Sequence, residues 1–160
     1  MLDGRSEFQC RFHVLGLFSI QCPVRYKIVN KIFEGGMGVV YEAEQHGASG
    51  FIKRVAIKVI RQSYANQKLF IENFIGEAKL VADLIHTNIV QTYHLGETDG
   101  MFFIAMELIR GSNVEQFLQK CAEQNRQLPK ELAVFIASRI ARGLAYAHAK
   151  TDKDGKPLGI

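Results

Sequence analysis

A chain of 160 residues holds one compact domain, or one lobe and part of another, at roughly 100 to 200 residues per domain. Apolar residues at 48% and charged residues at 22% match soluble globular chains, which excludes disorder, collagen and coiled coil and requires no disulfide or metal to complete the core. A net charge of +4, from 20 basic against 16 acidic residues, is too small an excess to mark a nucleic-acid protein without a clustered face, and no nucleic-acid partner is expected.

In chain order, the first 24 residues stand apart. The apolar run Val14 to Ile20 is far shorter than the about 18 residues a membrane helix needs, and no longer run occurs elsewhere. Asp3 and Glu7 spoil a basic leader, and Gln21 is a poor cleavage residue, so a signal peptide is not expected. An extra edge segment and non-native upstream sequence both remain open for this extension. Cys10, Cys22 and Cys121 are odd in number, widely spaced and without a C-x-x-C, so no disulfide framework or zinc site is indicated and a reducing cytoplasm is expected.

From Arg25 the pattern becomes regular. Tyr26 to Phe33 and Val39 to Ala43 are β-rich runs flanking Glu34-Gly35-Gly36-Met37-Gly38, which predicts a hairpin. A second turn over His46 to Gly50 leads into a strand over Lys53 to Ile60, where Val55, Ile57 and Val59 alternate with Ala56, Lys58 and Ile60. The period then changes to 3.6: Phe70, Phe74, Ala78, Val81 and Leu84 fall on one face of a helix from about Asn66 to Leu84. Two further strands, Ile89 to Glu97 and Met101 to Leu108, are joined by Thr98-Asp99-Gly100. Helices over Asn113 to Glu123 and Pro129 to Ala149 follow, the second with Leu132, Phe135, Ile136, Ile140 and Leu144 on its apolar face. The tail from Thr151 reads as a loop.

Two charges sit where apolar residues belong. Glu77 lies between Phe74, Ala78 and Val81 on its helix, and Lys58 lies between Ile57 and Val59 in its strand. An unpaired buried charge is costly, so the two are expected to pair across a helix packed on a sheet, unless Glu77 reaches water at the edge of the stripe. Among Lys53, Arg54, Lys58, Arg61 and Lys68, a run with no intervening acid, Lys58 is the one not expected on a solvated basic face. Gly35, Gly36 and Gly38 in a turn between strands serve either the turn's conformation or close approach of backbone N–H groups to phosphate.

Taken in order, Ile32-Phe33-Glu34-Gly35-Gly36-Met37-Gly38-Val39-Val40-Tyr41, Val55-Ala56-Ile57-Lys58, an inward Glu77, His86-Thr87-Asn88-Ile89-Val90 and Met106-Glu107-Leu108 resemble the amino-terminal lobe of a protein kinase, with a flavour closest to bacterial Ser/Thr kinases. The resemblance runs from about Arg25 to Ile160 and implies an α+β fold: a five-stranded antiparallel N-lobe sheet with one helix and hinge over 25–110, then the first helices of an incomplete helical C-lobe over 111–160. It implies ATP as cofactor and a protein as substrate, with the γ-phosphoryl group passing to Ser or Thr hydroxyls. Gly35, Gly36 and Gly38 would cover the phosphates, Lys58 contact them and Glu77 hold Lys58. Ile32, Val40 and Ala56 would line the adenine pocket, Met106 guard it, and backbone at Glu107 and Leu108 bond the adenine edge.

Two departures matter. Phe33 replaces the first loop glycine, where its ring would either crowd the ribose or stack over it. The segments H-R-D and D-F-G are absent, so no catalytic residue and no ligand for the expected Mg²⁺ lies in the chain, and these residues alone are expected to be inactive. The competing reading is an inactive kinase-like module that senses nucleotide or serves as a scaffold. A dinucleotide-binding oxidoreductase is excluded because the glycine turn joins two strands instead of a strand and a helix.

Overall fold

Alternating side chains give most of the β-rich runs one buried and one partly solvated face, and the runs pair accordingly in a computed structural model that describes residues 8–14, 18–36, 38–60, 67–152 and 154–160, with side chains from Val24 onward. Asp3, Glu7, Met37, Arg61 and Asn66 lie outside the described residues. The strands are β1 (Phe8–Val14), β2 (Phe18–Glu34), β3 (Gly38–His46), β4 (Ile52–Ile60), β5 (Thr92–Thr98) and β6 (Met101–Glu107). All pair antiparallel in one sheet of order β1-β2-β3-β4-β6-β5. Five are the strands expected from Tyr26 onward. The sixth, β1, comes from the amino-terminal extension and pairs with the start of β2 from Phe8↔Val24 to Val14↔Phe18, so this segment supplies an edge strand.

The turns follow their residues. In the β5–β6 connection Asp99 and Gly100 both have positive φ, 49° and 74°, the backbone of a tight two-residue hairpin turn, which explains an Asp-Gly pair there. Between β3 and β4, Ser49 and Gly50 adopt φ of 52° and 76° in a short 3-10 turn, and Gly47 N–H donates to the Phe51 carbonyl at 2.8 Å.

Compact packing divides the chain into two units, Met1–Lys79 with Thr92–Leu108 and Leu80–Gln91 with Ile109–Ile160. In the first, one sheet face buries Ala43, Val55, Ile57, Phe103 and Ala105, with Tyr26 set edge-on to Phe103 at 5.7 Å between ring centres. The other face packs Ile60 and Ile104 against Phe74 and Ala78 of helix α1 (Lys68–Val81). The stripe predicted along this helix therefore faces the sheet through its middle. Its last member, Leu84, lies beyond the helix end, buried in the second unit.

The second unit contains α2 (Val114–Glu123) and α3 (Lys130–His148). A reciprocal cap starts α2: Gln116 N–H donates to Asn113 Oδ1 at 2.7 Å, and Asn113 N–H donates to Gln116 Oε1 at 3.2 Å. The predicted apolar face of α3 is its buried face, but only in part: Leu132 and Ile136 are partly buried, and Gly143 and Ala147 continue the same side. Gly143 and Ala147 are buried, whereas Phe135, Ile140 and Leu144 are exposed. At Gly143 the approach is close: a Cβ there would lie 3.3 Å from the Asn88 carbonyl oxygen, so the contact at that point is made without a side chain. Beside it Ile85 N–H donates to the Tyr146 hydroxyl at 3.3 Å, and His86 stacks on the Tyr146 ring. No helix among the described residues is long and apolar enough to cross a membrane.

Candidate functional site

Directly opposed residues of an antiparallel sheet share a face. The registers Phe33↔Val40, Val40↔Lys58 and Lys58↔Ile104 therefore place these four side chains in one row across β2, β3, β4 and β6. The adjacent row contains Glu42, Ala56 and Met106. This is the face on which α1 lies, since Ile104 and Met106 pack with Phe74 and Ala78.

Lys58 reaches from this face to the helix. Its Nζ donates to both carboxylate oxygens of Glu77, at 2.7 and 2.8 Å. The expected pairing is present, and so is the alternative that Glu77 reaches water: its side chain is 47% exposed against 21% for Lys58. A pair this wet adds at most about 1 kcal/mol to stability, so its consequence is geometric, an ammonium held at one place on the sheet. The centre of the Phe74 ring lies 5.7 Å from Nζ. A shallow recess opens beside the pair, lined by Ile60, Phe70, Asn73, Phe74 and Glu77.

The glycine turn closes through a Gly35 N–H to Gly38 carbonyl bond of 2.9 Å. Its glycines are not equivalent. A Cβ on Gly38 would lie 2.7 Å from the Val59 carbonyl oxygen, a backbone atom that cannot easily move aside. A Cβ on Gly35 would meet the Phe33 ring at 2.9 Å, whereas Gly36 has open space around it. Ile32 is exposed at a β-bulge between the Lys31 and Phe33 pairings. Ala56 is buried, Val40 and Met106 are half-buried, and Glu107 closes β6 just before Leu108. The residues expected to bind ATP, from Ile32 to Leu108, all lie in the first unit, whereas His86 to Val90 lie in the second.

Sequence reasoning placed Phe74 on the helix stripe without assigning it to the ammonium. The signal was its spacing, three residues before Glu77 and so on the same helix side. The basic run resolves largely as a surface: Arg54 bonds Glu42 and Glu44, each at 3.0 Å, Lys53 sits 3.6 Å over the Tyr93 ring, and Lys68 is highly exposed. Among the described residues no group of three or more His, Cys, Asp or Glu side chains is placed to hold a metal, so the residues present do not fit an Mg²⁺ ion. They do fit a phosphate ester, with a fixed ammonium beside a turn where a side chain on Gly38 is excluded.

Residues 26–151 match the family described as protein kinase domain. Among curated proteins, the tyrosine-protein kinase MasK of Myxococcus xanthus is 36% identical over 135 residues, covering 84% of this chain and 21% of its own length. The serine/threonine-protein kinase PrkC of Bacillus subtilis is likewise 36% identical, over 138 residues, covering 85% of this chain and 20% of its own. Among solved structures, the PknI kinase domain of Mycobacterium tuberculosis superimposes with a TM-score of 0.61 at 29% identity, covering 77% of this chain and 48% of that one. The chain thus spans about a fifth of the length of these curated relatives and about half of that solved domain.

Proposed function

This chain belongs to the protein kinase family, and we propose that residues 25–110 form the ATP-binding part of an enzyme that transfers the γ-phosphoryl group of ATP to Ser and Thr hydroxyls of proteins, with residues 111–160 beginning its helical lobe. The observation that carries the reading is the two-oxygen bond from Lys58 to Glu77, which holds a cation on the row shared with Val40 and beside the glycine turn. Lys58 neutralises phosphate oxygens and Glu77 orients Lys58. Gly35, Gly36 and Gly38 let backbone N–H groups come close to the phosphates. Ile32, Val40 and Ala56 supply apolar surface for the adenine with Met106 at its back, and backbone at Glu107 and Leu108 bonds the adenine edge.

Ser/Thr acceptors follow the name of PrkC, while MasK is named a tyrosine kinase, so the acceptor is the finest part of the proposal. ATP with Mg²⁺ is the phosphoryl donor in this reading, a protein is the acceptor and the cytoplasm is the compartment. The described residues offer Mg²⁺ no ligand set, and residues 1–160 by themselves are proposed to bind ATP without transferring phosphate. Phe33 in place of the first loop glycine favours a second reading, a nucleotide-sensing or scaffold module.

Calorimetric titration with ATP tests the site. Lys58→Met is expected to weaken binding about tenfold, equivalent to about 1.4 kcal/mol, with circular dichroism unchanged. Equal binding by both proteins removes Lys58 from the phosphate role. Radioactive transfer to a protein acceptor by this chain would refute its proposed inactivity.

A further inference from the structure

The Phe33 side chain is 61% exposed although it is large and apolar, and it stands in the same row as Val40 and Lys58. The ring is not loose. From the place a Cβ would take on Gly35, its Cε1, Cζ and Cδ1 atoms are 2.9, 3.6 and 3.8 Å away, so one edge rests along the glycine turn. It follows a β-bulge between the Lys31 and Phe33 pairings, a device that re-aims side chains. With strands about 4.8 Å apart, positions 33 and 58 are two spacings, about 10 Å, from one another, far enough for a sugar and base to lie between a ring at one and phosphates at the other.

We infer that Phe33 is a nucleoside-contacting residue, whose ring stacks on the adenosine moiety of a nucleotide held through its phosphates at Lys58. This rests on the nucleotide reading above and deepens it. Rings and bases stack with little dependence on sequence or on charge, so the ring selects for a nucleoside-bearing ligand over bare polyphosphate. Lys58 discriminates in the other direction, toward phosphate. Contact with Gly35 limits the ring's motion, so stacking loses less side-chain freedom than a fully solvated phenylalanine would.

The test is a titration of the whole chain, Phe33→Ala, Phe33→Tyr and Lys58→Met with ATP, adenosine and tripolyphosphate, followed by ligand-observed NMR. Phe33→Ala is expected to weaken ATP and adenosine by at least about fivefold and leave tripolyphosphate unchanged, while Phe33→Tyr retains parental affinity for all three. Lys58→Met is expected to weaken ATP and tripolyphosphate and leave adenosine unchanged. If Phe33→Ala binds adenosine as well as the parent or better, while Lys58→Met still weakens ATP, the ring is an obstruction or a bystander and the inference is overturned with the nucleotide site intact. A parent that binds neither ATP nor tripolyphosphate overturns the nucleotide reading itself and this inference with it.

Discussion

The sheet unit and the helical unit bury different kinds of side chain. The first encloses large branched and aromatic groups on both faces of the sheet, including Val55, Ile57 and Phe103 on one and Ile60, Phe74 and Ile104 on the other. In the second, the buried positions among the described residues are Leu84, Gly143 and Ala147, while Phe135, Ile140 and Leu144 of α3 are half or more exposed. Apolar burial scales with area removed from water, so the sheet unit draws its stability from side chains and the helical unit depends more on caps and backbone bonds. A candidate site carried by the sheet unit therefore rests on the better consolidated of the two.

The largest expected effect tests that contrast at its centre. Phe103 is 4% exposed, set edge-on to Tyr26, and its ring lies against Gly96, where an added Cβ would clash with it. Phe103→Ala is expected to cost about 3–5 kcal/mol in a urea titration followed by circular dichroism. A loss below about 1 kcal/mol would mean that the sheet is not a consolidated core. Next comes Gly38→Ala, which must push the new methyl against the Val59 carbonyl oxygen and is expected to cost about 1–3 kcal/mol as the turn shifts. Gly36→Ala, with open space around it, serves as the control and should change stability by less than about 1 kcal/mol.

How far the molecule was legible in its sequence follows the same divide. Alternation along Lys53 to Ile60 and the Asp99-Gly100 pair made strand and hairpin readable, because a strand's period and a positive-φ turn are local properties. Lys58 and Glu77 were readable because each is a charge among apolar neighbours and so requires either water or a partner; here Glu77 has both. Less was drawn from residues 8–14, although Phe8, Cys10, Phe12 and Val14 alternate with Gln9, Arg11 and His13 in the pattern of the β1 strand found there. The α3 stripe marked the correct side of the helix but not how deeply each residue on it is buried. Periodicity shows that a helix has an apolar side but not what comes close to it, and the approach of Asn88 and Ile89 selects Gly143 over the larger residues nearby. Phe74 escaped assignment because its spacing from Glu77 puts the two on one helix side but does not show that a cation from another element comes near the ring.

A smaller effect probes the sheet unit by pH. His94 on β5 is half-buried, 5.9 Å from the Phe103 ring between centres, and burial lowers its pKa below the ordinary value of 6.5. The unfolded chain therefore takes up a proton first as pH falls. The stability associated with neutral His94 is fully present above about pH 6.5 and is lost progressively as pH drops below that value toward the lowered folded pKa. Urea midpoints measured across this window should fall with acidification in the parent and fall less in His94→Gln. Parallel slopes in the two proteins would assign the pH dependence to other groups.

The smallest effect is expected from the same substitution as the largest, made in the other unit. Phe135 on α3 is 53% exposed, and the Arg139 guanidinium lies 4.8 Å from its ring centre, one helical turn along. Removing the ring deletes a solvated cation–π contact of about 0.5–1 kcal/mol, while alanine returns part of that through its higher helix propensity. Phe135→Ala should therefore change the amide exchange protection of α3 by less than about 1 kcal/mol, several times less than Phe103→Ala changes that of β6. If the two substitutions cost the same, exposure has failed to predict energetic weight in the helical unit. The contrast between a side-chain core in one unit and a cap-and-backbone framework in the other would then not hold.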